Sequence, residues 1–157
     1  MDDLEADWTY HSPFDFVYVR MMMGSIRDWP KLFQQAFEHM NPGGWIELFE
    51  SRHPVVCQDG TLPPDSALLK WSKLCYEASV KLGTPMDSGL YHKQRLLDAG
   101  FVNVVHKELV WPTNQWPKDK DLKELGLFII TATKLPTGEF ANTLSQVLGV
   151  TKPLRLA

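Results

Sequence analysis

The sequence predicts an α/β fold with a parallel sheet, and three features near its N-terminus carry that prediction. Residues 14–19, FDFVYV, are a short apolar, β-branched and aromatic run with one Asp, the pattern of a buried strand. A helix is predicted from about Asp28 or Trp29 to Met40, with Asp28 as N-cap and Pro30 in the first turn. Its Leu32, Phe33, Ala36, Phe37 and Met40 recur at helical spacing and make one apolar face. Asn41-Pro42-Gly43-Gly44 then stops the helix, and Trp45 to Phe49 reads as a second strand. Strand, helix, tight turn and strand form a βαβ unit, which implies parallel pairing and a right-handed crossover.

Around this unit the chain reads as follows. Residues 1–13 are a loop rich in Asp, Glu, Ser and Pro, with Trp8 as its large apolar anchor. Asp65 caps a predicted helix to about Leu82, with Leu68, Leu69, Trp71, Leu74, Cys75 and Ala78 on its buried side. A shorter helix runs from Ser88 to Ala99 and closes at Gly100. Phe101 to Trp111 partly alternates and is rich in β-formers, so a third strand is expected there. Residues 112–121 form a polar loop, and Leu122 to Thr133 fits either a helix or a strand. Beyond Lys134 come a polar turn, a short helix near Glu139 to Leu148, and a tail expected to fray. The chain is read as one domain: a core βαβ unit with its loop (1–51), a helical insert and late strand (52–111), and a C-terminal loop with helices (112–157).

Bulk composition narrows the function. With 157 residues, 44% of them hydrophobic and 22% charged, the chain can bury a core and is not wholly disordered. A net charge of -3 leaves no basic footprint, which argues against direct nucleic-acid binding. The acidic start and the lack of a long apolar run point away from a signal peptide or a membrane span, and toward the cytoplasm or nucleus. Cys57 and Cys75 are too few for a disulfide framework and read as reduced thiols. His53, Cys57 and Cys75 lack the paired short spacings of a zinc site, so no metal is expected. His11, His92 and His106 have no partner pattern that would make one of them a general base, and no catalytic residue is assigned. Asp28 is read as a helix cap rather than a catalyst, and Gly43 and Gly44 as structural.

Residues 2–51 resemble the middle of class I methyltransferases, most closely the LaeA-like group of fungal proteins. The match rests on an acidic loop ending in Trp8 before Phe14-Asp15-Phe16-Val17, on Arg20 followed by Gly24-Ser25-Ile26 and Asp28-Trp29, and on Asn41-Pro42-Gly43-Gly44-Trp45. A looser likeness, through GLYHKQRLLDAGF, extends to about residue 111. The resemblance implies a partial Rossmann-like fold, the C-terminal half of the family sheet with flanking helices. It implies S-adenosyl-L-methionine as cofactor and a small molecule or protein as methyl acceptor. By position, the Asp3 carboxylate, with Asp2 as the alternative, would face the adenine amino group, and the Leu4 N–H a ring nitrogen. The backbone at Arg20 and Met21 would line the methionine end, at the carboxyl edge of the sheet. Equally open is a reading in which Met21 to Met23 fill core space and Arg20 pairs with a carboxylate.

The family's glycine-rich first motif has no counterpart here, since GxGxG occurs nowhere in the chain. The expectation is therefore an N-terminally truncated methyltransferase, or a non-catalytic regulator derived from one and linked to control of secondary metabolism. In the family sheet the strand matching Phe14–Val19 is central, so here its free apolar edge would be covered by a protein partner or by the N-terminal segment, or the sequence is a fragment or truncated gene product, which is the favoured expectation.

Overall fold

In the computed structural model, which describes residues 3–58, 60–134 and 147, strand β1 (Phe14–Arg20) pairs in parallel with strand β2 (Met40–Phe49). The register runs from Phe16 opposite Trp45 to Arg20 opposite Phe49. The expected reversal at Asn41–Gly44 takes a different form. Pairing already begins at Met40, opposite Phe14, and residues 41–44 bulge out of the ladder before it resumes at Trp45. Asn41 Nδ2 donates to Asp15 Oδ1 at 2.8 Å and ties the bulge to β1. Gly43 has φ +84°, and a Cβ on Gly44 would lie 3.0 Å from the Asn41 carbonyl oxygen and 3.1 Å from that of Asp15. Two successive glycines let the backbone fold this closely on itself.

Helix α1 (Trp29–Glu38) makes the crossover between the strands. The Asp28 carboxylate accepts from Lys31 N at 2.9 Å, which satisfies one orphan donor of the first turn, as the sequence predicts. Trp29, Leu32, Phe33 and Ala36 are buried, and the first three form the core with Val19, Ile26, Leu96 and Ala99. Each large side chain buried there contributes about 1.5–3 kcal/mol. Phe37 departs from the expected face: it is largely exposed, and Gln35 occupies a buried position instead.

The chain divides into two compact units, Met1–Val105 and His106–Ala157. In the first, helix α2 (Ala67–Lys81) starts one residue later than expected, because the Ser66 hydroxyl, not Asp65, accepts from Leu69 N. Its buried residues are small, Ser72, Cys75, Ala78 and Ser79, while Leu68 is exposed. The two hydroxyls explain that choice. Ser72 Oγ accepts from Val55 N at 2.7 Å, and Ser79 Oγ accepts from Met86 N at 3.1 Å, so α2 holds the loops on both sides of it. The helix expected over residues 88–99 is a 3-10 turn (Ser88–Tyr91) running into α3 (His92–Asp98).

Phe101 to Trp111 does not form the expected third strand. The described residues hold one two-stranded sheet, β1 with β2, and this segment pairs with neither strand. Its β propensity alone cannot satisfy its backbone, and Val102, Val105 and Leu109 are 78%, 76% and 74% exposed. In the second unit, Leu122 to Thr133 is helical, within α4 (Lys120–Lys134). The Asp119 carboxylate caps it, accepting from Asp121 N and Leu122 N, both at 3.0 Å. The expected helix near Glu139 to Leu148 lies, but for residue 147, outside the described residues. Among the described residues no helix is long and apolar enough to cross a membrane.

Gly100 tests the packing of α3 on α1. It has φ +106°, and a Cβ there would come within 2.8 Å of Phe37 Cζ. Gly100→Ala is expected to destabilise the fold by about 1–3 kcal/mol, read as a lower midpoint in thermal unfolding. Unchanged stability would show that the α1–α3 contact gives way freely.

Candidate functional site

The N-terminal loop is strapped to α1 by side chains far away in sequence. Glu5 Oε1 accepts from both Arg27 N and Asp28 N at 2.8 Å, just ahead of the helix. Trp8 N donates to Gln35 Oε1 at 2.8 Å, and Gln35 Nε2 donates to the Leu4 carbonyl at 3.4 Å. Trp8 Nε1 reaches the same carbonyl at 3.1 Å, and Lys31 pairs with Asp7 at 2.9 Å. The exposed ion pair adds little. The buried Gln35 amide, which reads both a donor and an acceptor of the loop, holds it in place.

Within the strap, Asp3 is exposed and its Oδ1 accepts from Glu5 N at 2.9 Å. Its carboxylate is thus partly engaged in a local turn. Leu4 sits at the rim of an apolar cleft, and Asp2 lies outside the described residues. The cleft has a volume of about 310 Å³ and is bounded by Leu4, Trp8, β1, and Leu32 and Ala36 of α1. Val17, Tyr18, Val19 and Arg20 all contribute to it in succession. Successive strand residues point to opposite faces, so the cleft follows the edge of β1 rather than one face of the sheet. Leu4 and Arg20 therefore line one space. On the face away from α1, Phe16, Tyr18 and Trp45 are 53%, 50% and 72% exposed, with the Phe16 and Tyr18 rings stacked.

At the carboxyl end of β1, the Arg20 guanidinium lies 5.7 Å from the centre of the Phe49 ring, a cation–π contact rather than the ion pair weighed above. Met21 N donates to the Phe49 carbonyl at 2.9 Å, and Met21 adopts φ +52°, which turns the chain out of the strand. Met22 N and Met23 N then donate to Oε1 and Oε2 of Glu50, each at 2.9 Å. Burial pushes the Glu50 carboxyl above its ordinary pKa, and these two N–H bonds pull the other way. Met22 packs against the core while Met21 is exposed.

The remaining polar groups build structure. His53 Nδ1 lies 3.3 Å from Ser72 Oγ, and burial lowers the His53 pKa. Among the described residues no group of three or more His, Cys, Asp or Glu is placed to hold a metal ion. Cys75 is buried, and its thiol is pushed up to about 11 by that burial.

The residues that organise this end of the sheet, Glu5, Gln35 and Glu50, carry no local sequence signal. Each bonds across more than twenty residues and is visible only once the βαβ unit is folded.

Known proteins resemble this chain at the level of family. Residues 1–106 match the family described as methyltransferase domain. The chain belongs to the methyltransferases. It is 38% identical over 152 residues to methyltransferase pytC of Aspergillus terreus, covering 96% of this chain and 47% of that protein. It is 42% identical over 126 residues to the probable methyltransferase tdiE of Emericella nidulans, covering 80% of this chain and 39% of that one. Secondary metabolism regulator LAE1 of Cochliobolus heterostrophus is 36% identical over 126 residues, with 79% and 41% covered. The chain thus spans less than half the length of each of these relatives. No solved structure matches it.

Two outcomes follow for this methyltransferase chain. Gln35→Leu keeps the volume but leaves Trp8 N–H without its acceptor, and it should cost about 1–3 kcal/mol in urea unfolding. Gln35→Glu keeps that acceptor but sets a carboxylate oxygen against the Leu4 carbonyl, so it should lose stability too; wild-type stability in Gln35→Leu would refute the strap. In the native chain at pH 8, a maleimide should label Cys57 and spare Cys75, with both labelled after denaturation. Mass spectrometry showing rapid double labelling of the native chain would contradict the burial of Cys75.

Proposed function

We propose that this chain forms the later half of a Rossmann-like, S-adenosylmethionine-dependent methyltransferase sheet, acting on a small molecule or a protein. The observation that carries the reading is the match of residues 1–106 to a methyltransferase domain, supported by the parallel βαβ unit whose cleft brings Leu4 and Arg20 together. Open parallel sheets bind ligands outside the carboxyl ends of their strands, where Arg20 and Met21 lie.

The residues present fit one end of the cofactor. Leu4 and Trp8 offer apolar surface to an adenine ring, and the exposed Asp3 carboxylate keeps acceptor capacity for its exocyclic amine. Asp2 is the alternative carboxylate. Leu4 N–H would meet a ring nitrogen, and the Arg20–Met21 backbone would border the methionine. When bound, S-adenosylmethionine supplies an already activated methyl group. The protein's part is then to align the acceptor with it and exclude water. Residues 52–90, with α2 at their centre, are the segment that would choose the acceptor.

A second reading, a regulatory or scaffold protein, is favoured by the edge of β1 that pairs with no second strand among the described residues, and by the exposed Phe16, Tyr18 and Trp45. There a protein partner covers the sheet. The name of the LAE1 relative, a secondary metabolism regulator, agrees with that role.

Isothermal titration with S-adenosylhomocysteine separates the two. On the first reading the chain binds in the micromolar range and Asp3→Asn weakens binding about tenfold. Asn preserves the turn to Glu5 N, so such a loss reports on the ligand rather than on the loop. No heat at millimolar ligand would favour the scaffold reading.

A further inference from the structure

We propose that Glu50 is the positioning residue of the Met21–Met23 loop, and that it sets the backbone bordering the methionine end of the cofactor. The ligand half of this inference rests on the methyl-transfer reading above.

The β1–β2 ladder runs out just beyond Arg20. Its last backbone rung is Met21 N to the Phe49 carbonyl. The left-handed Met21 then turns the chain, and the next two N–H groups have left the line of β2's carbonyls. The Glu50 side chain replaces those carbonyls, one oxygen to each N–H, both at 2.9 Å. Ser51 Oγ donates to Met23 Sδ at 2.9 Å and pins the same loop a third time. Three consecutive residues after β1 are thus held by three consecutive residues at the end of β2.

A carboxylate meets this demand with one oxygen for each N–H, whereas a side-chain amide sets one acceptor oxygen beside a competing donor. Glu50 is half-buried and enclosed on another side by Gly89, where a Cβ would stand 3.6 Å from the Glu50 Cβ. Keeping a charge there is costly, and satisfying two otherwise unpaired N–H groups offsets the cost. Both oxygens already accept from the backbone, so Glu50 acts through the loop and not on substrate.

The test uses the full chain with Glu50→Ala and Glu50→Gln, followed by residue-resolved amide exchange and by titration with S-adenosylhomocysteine. In Glu50→Ala the Met22 and Met23 amides should exchange about ten- to a hundredfold faster, with the α1 and α2 amides unchanged. The S-adenosylhomocysteine Kd should rise on the order of tenfold. Glu50→Gln should rescue one of the two amides and part of the affinity. A Glu50 that only stabilised the fold would lower protection across both helices and show no graded rescue, and that result overturns the inference. So does wild-type affinity in Glu50→Ala. If the wild-type chain binds no S-adenosylhomocysteine, the functional reading fails and takes the ligand half with it, while the exchange rates still decide whether Glu50 holds the loop.

Discussion

Parallel pairing of β1 with β2 is the constraint on which the rest of the first unit depends. Two parallel strands cannot be joined by a tight turn, so the chain must climb back along the sheet before the second strand begins. Helix α1 is that return path, and its buried Trp29, Leu32 and Phe33 give it a reason to stay there. The same geometry brings both strand ends out together. Arg20–Met23 and Phe49–Ser51 become neighbours although more than twenty residues separate them. A two-stranded sheet alone would be marginal. Most of its stability comes from the helix face and from the loops that α1 and Glu50 tie down.

Those loops are held by polar side chains standing in for backbone. Glu5 completes the N-terminus of α1 by accepting from two residues just ahead of it, Gln35 reads the strap, and Glu50 extends the ladder. Each is a single side chain meeting two backbone groups, or one donor and one acceptor. Such an arrangement fixes loop position more narrowly than apolar contact, because a shift of an ångström breaks both bonds at once. The cost is local: an apolar replacement leaves buried backbone unpaired.

What could be read from the sequence follows the range of the forces involved. The βαβ unit was legible because its signals are local: an apolar run, the Asp28 cap, helical spacing, and glycines where the chain must fold back. The same reasoning placed α2 and came within a residue of its start, missing that Ser66 rather than its neighbour Asp65 faces the first turn. It failed at Phe101–Trp111, where β propensity was strong but strand formation depends on a partner. It also failed at Phe37 and Gln35, whose spacing predicts the reverse of their burial. Helical periodicity locates a face, whereas the hydrogen bonds of Trp8 and Leu4 decide that a glutamine belongs on it. Of the candidate site, Leu4 and Arg20 share a cleft, but the residues that put them there carry no motif.

The cleft and the bare face of the sheet make different demands. Along the edge of β1 the space is a largely apolar cleft of about 310 Å³, which a small flat group can enter. The opposite face offers Phe16, Tyr18 and Trp45, which hydrogen bonding does not satisfy and which call for a packed apolar layer. One flat ligand cannot meet both demands, since an adenine ring beside Leu4 and Trp8 fills part of the edge and none of the face. A methyltransferase sheet with helices on both sides meets both at once. The Met21–Met23 loop held by Glu50 stands at the carboxyl end of that same edge.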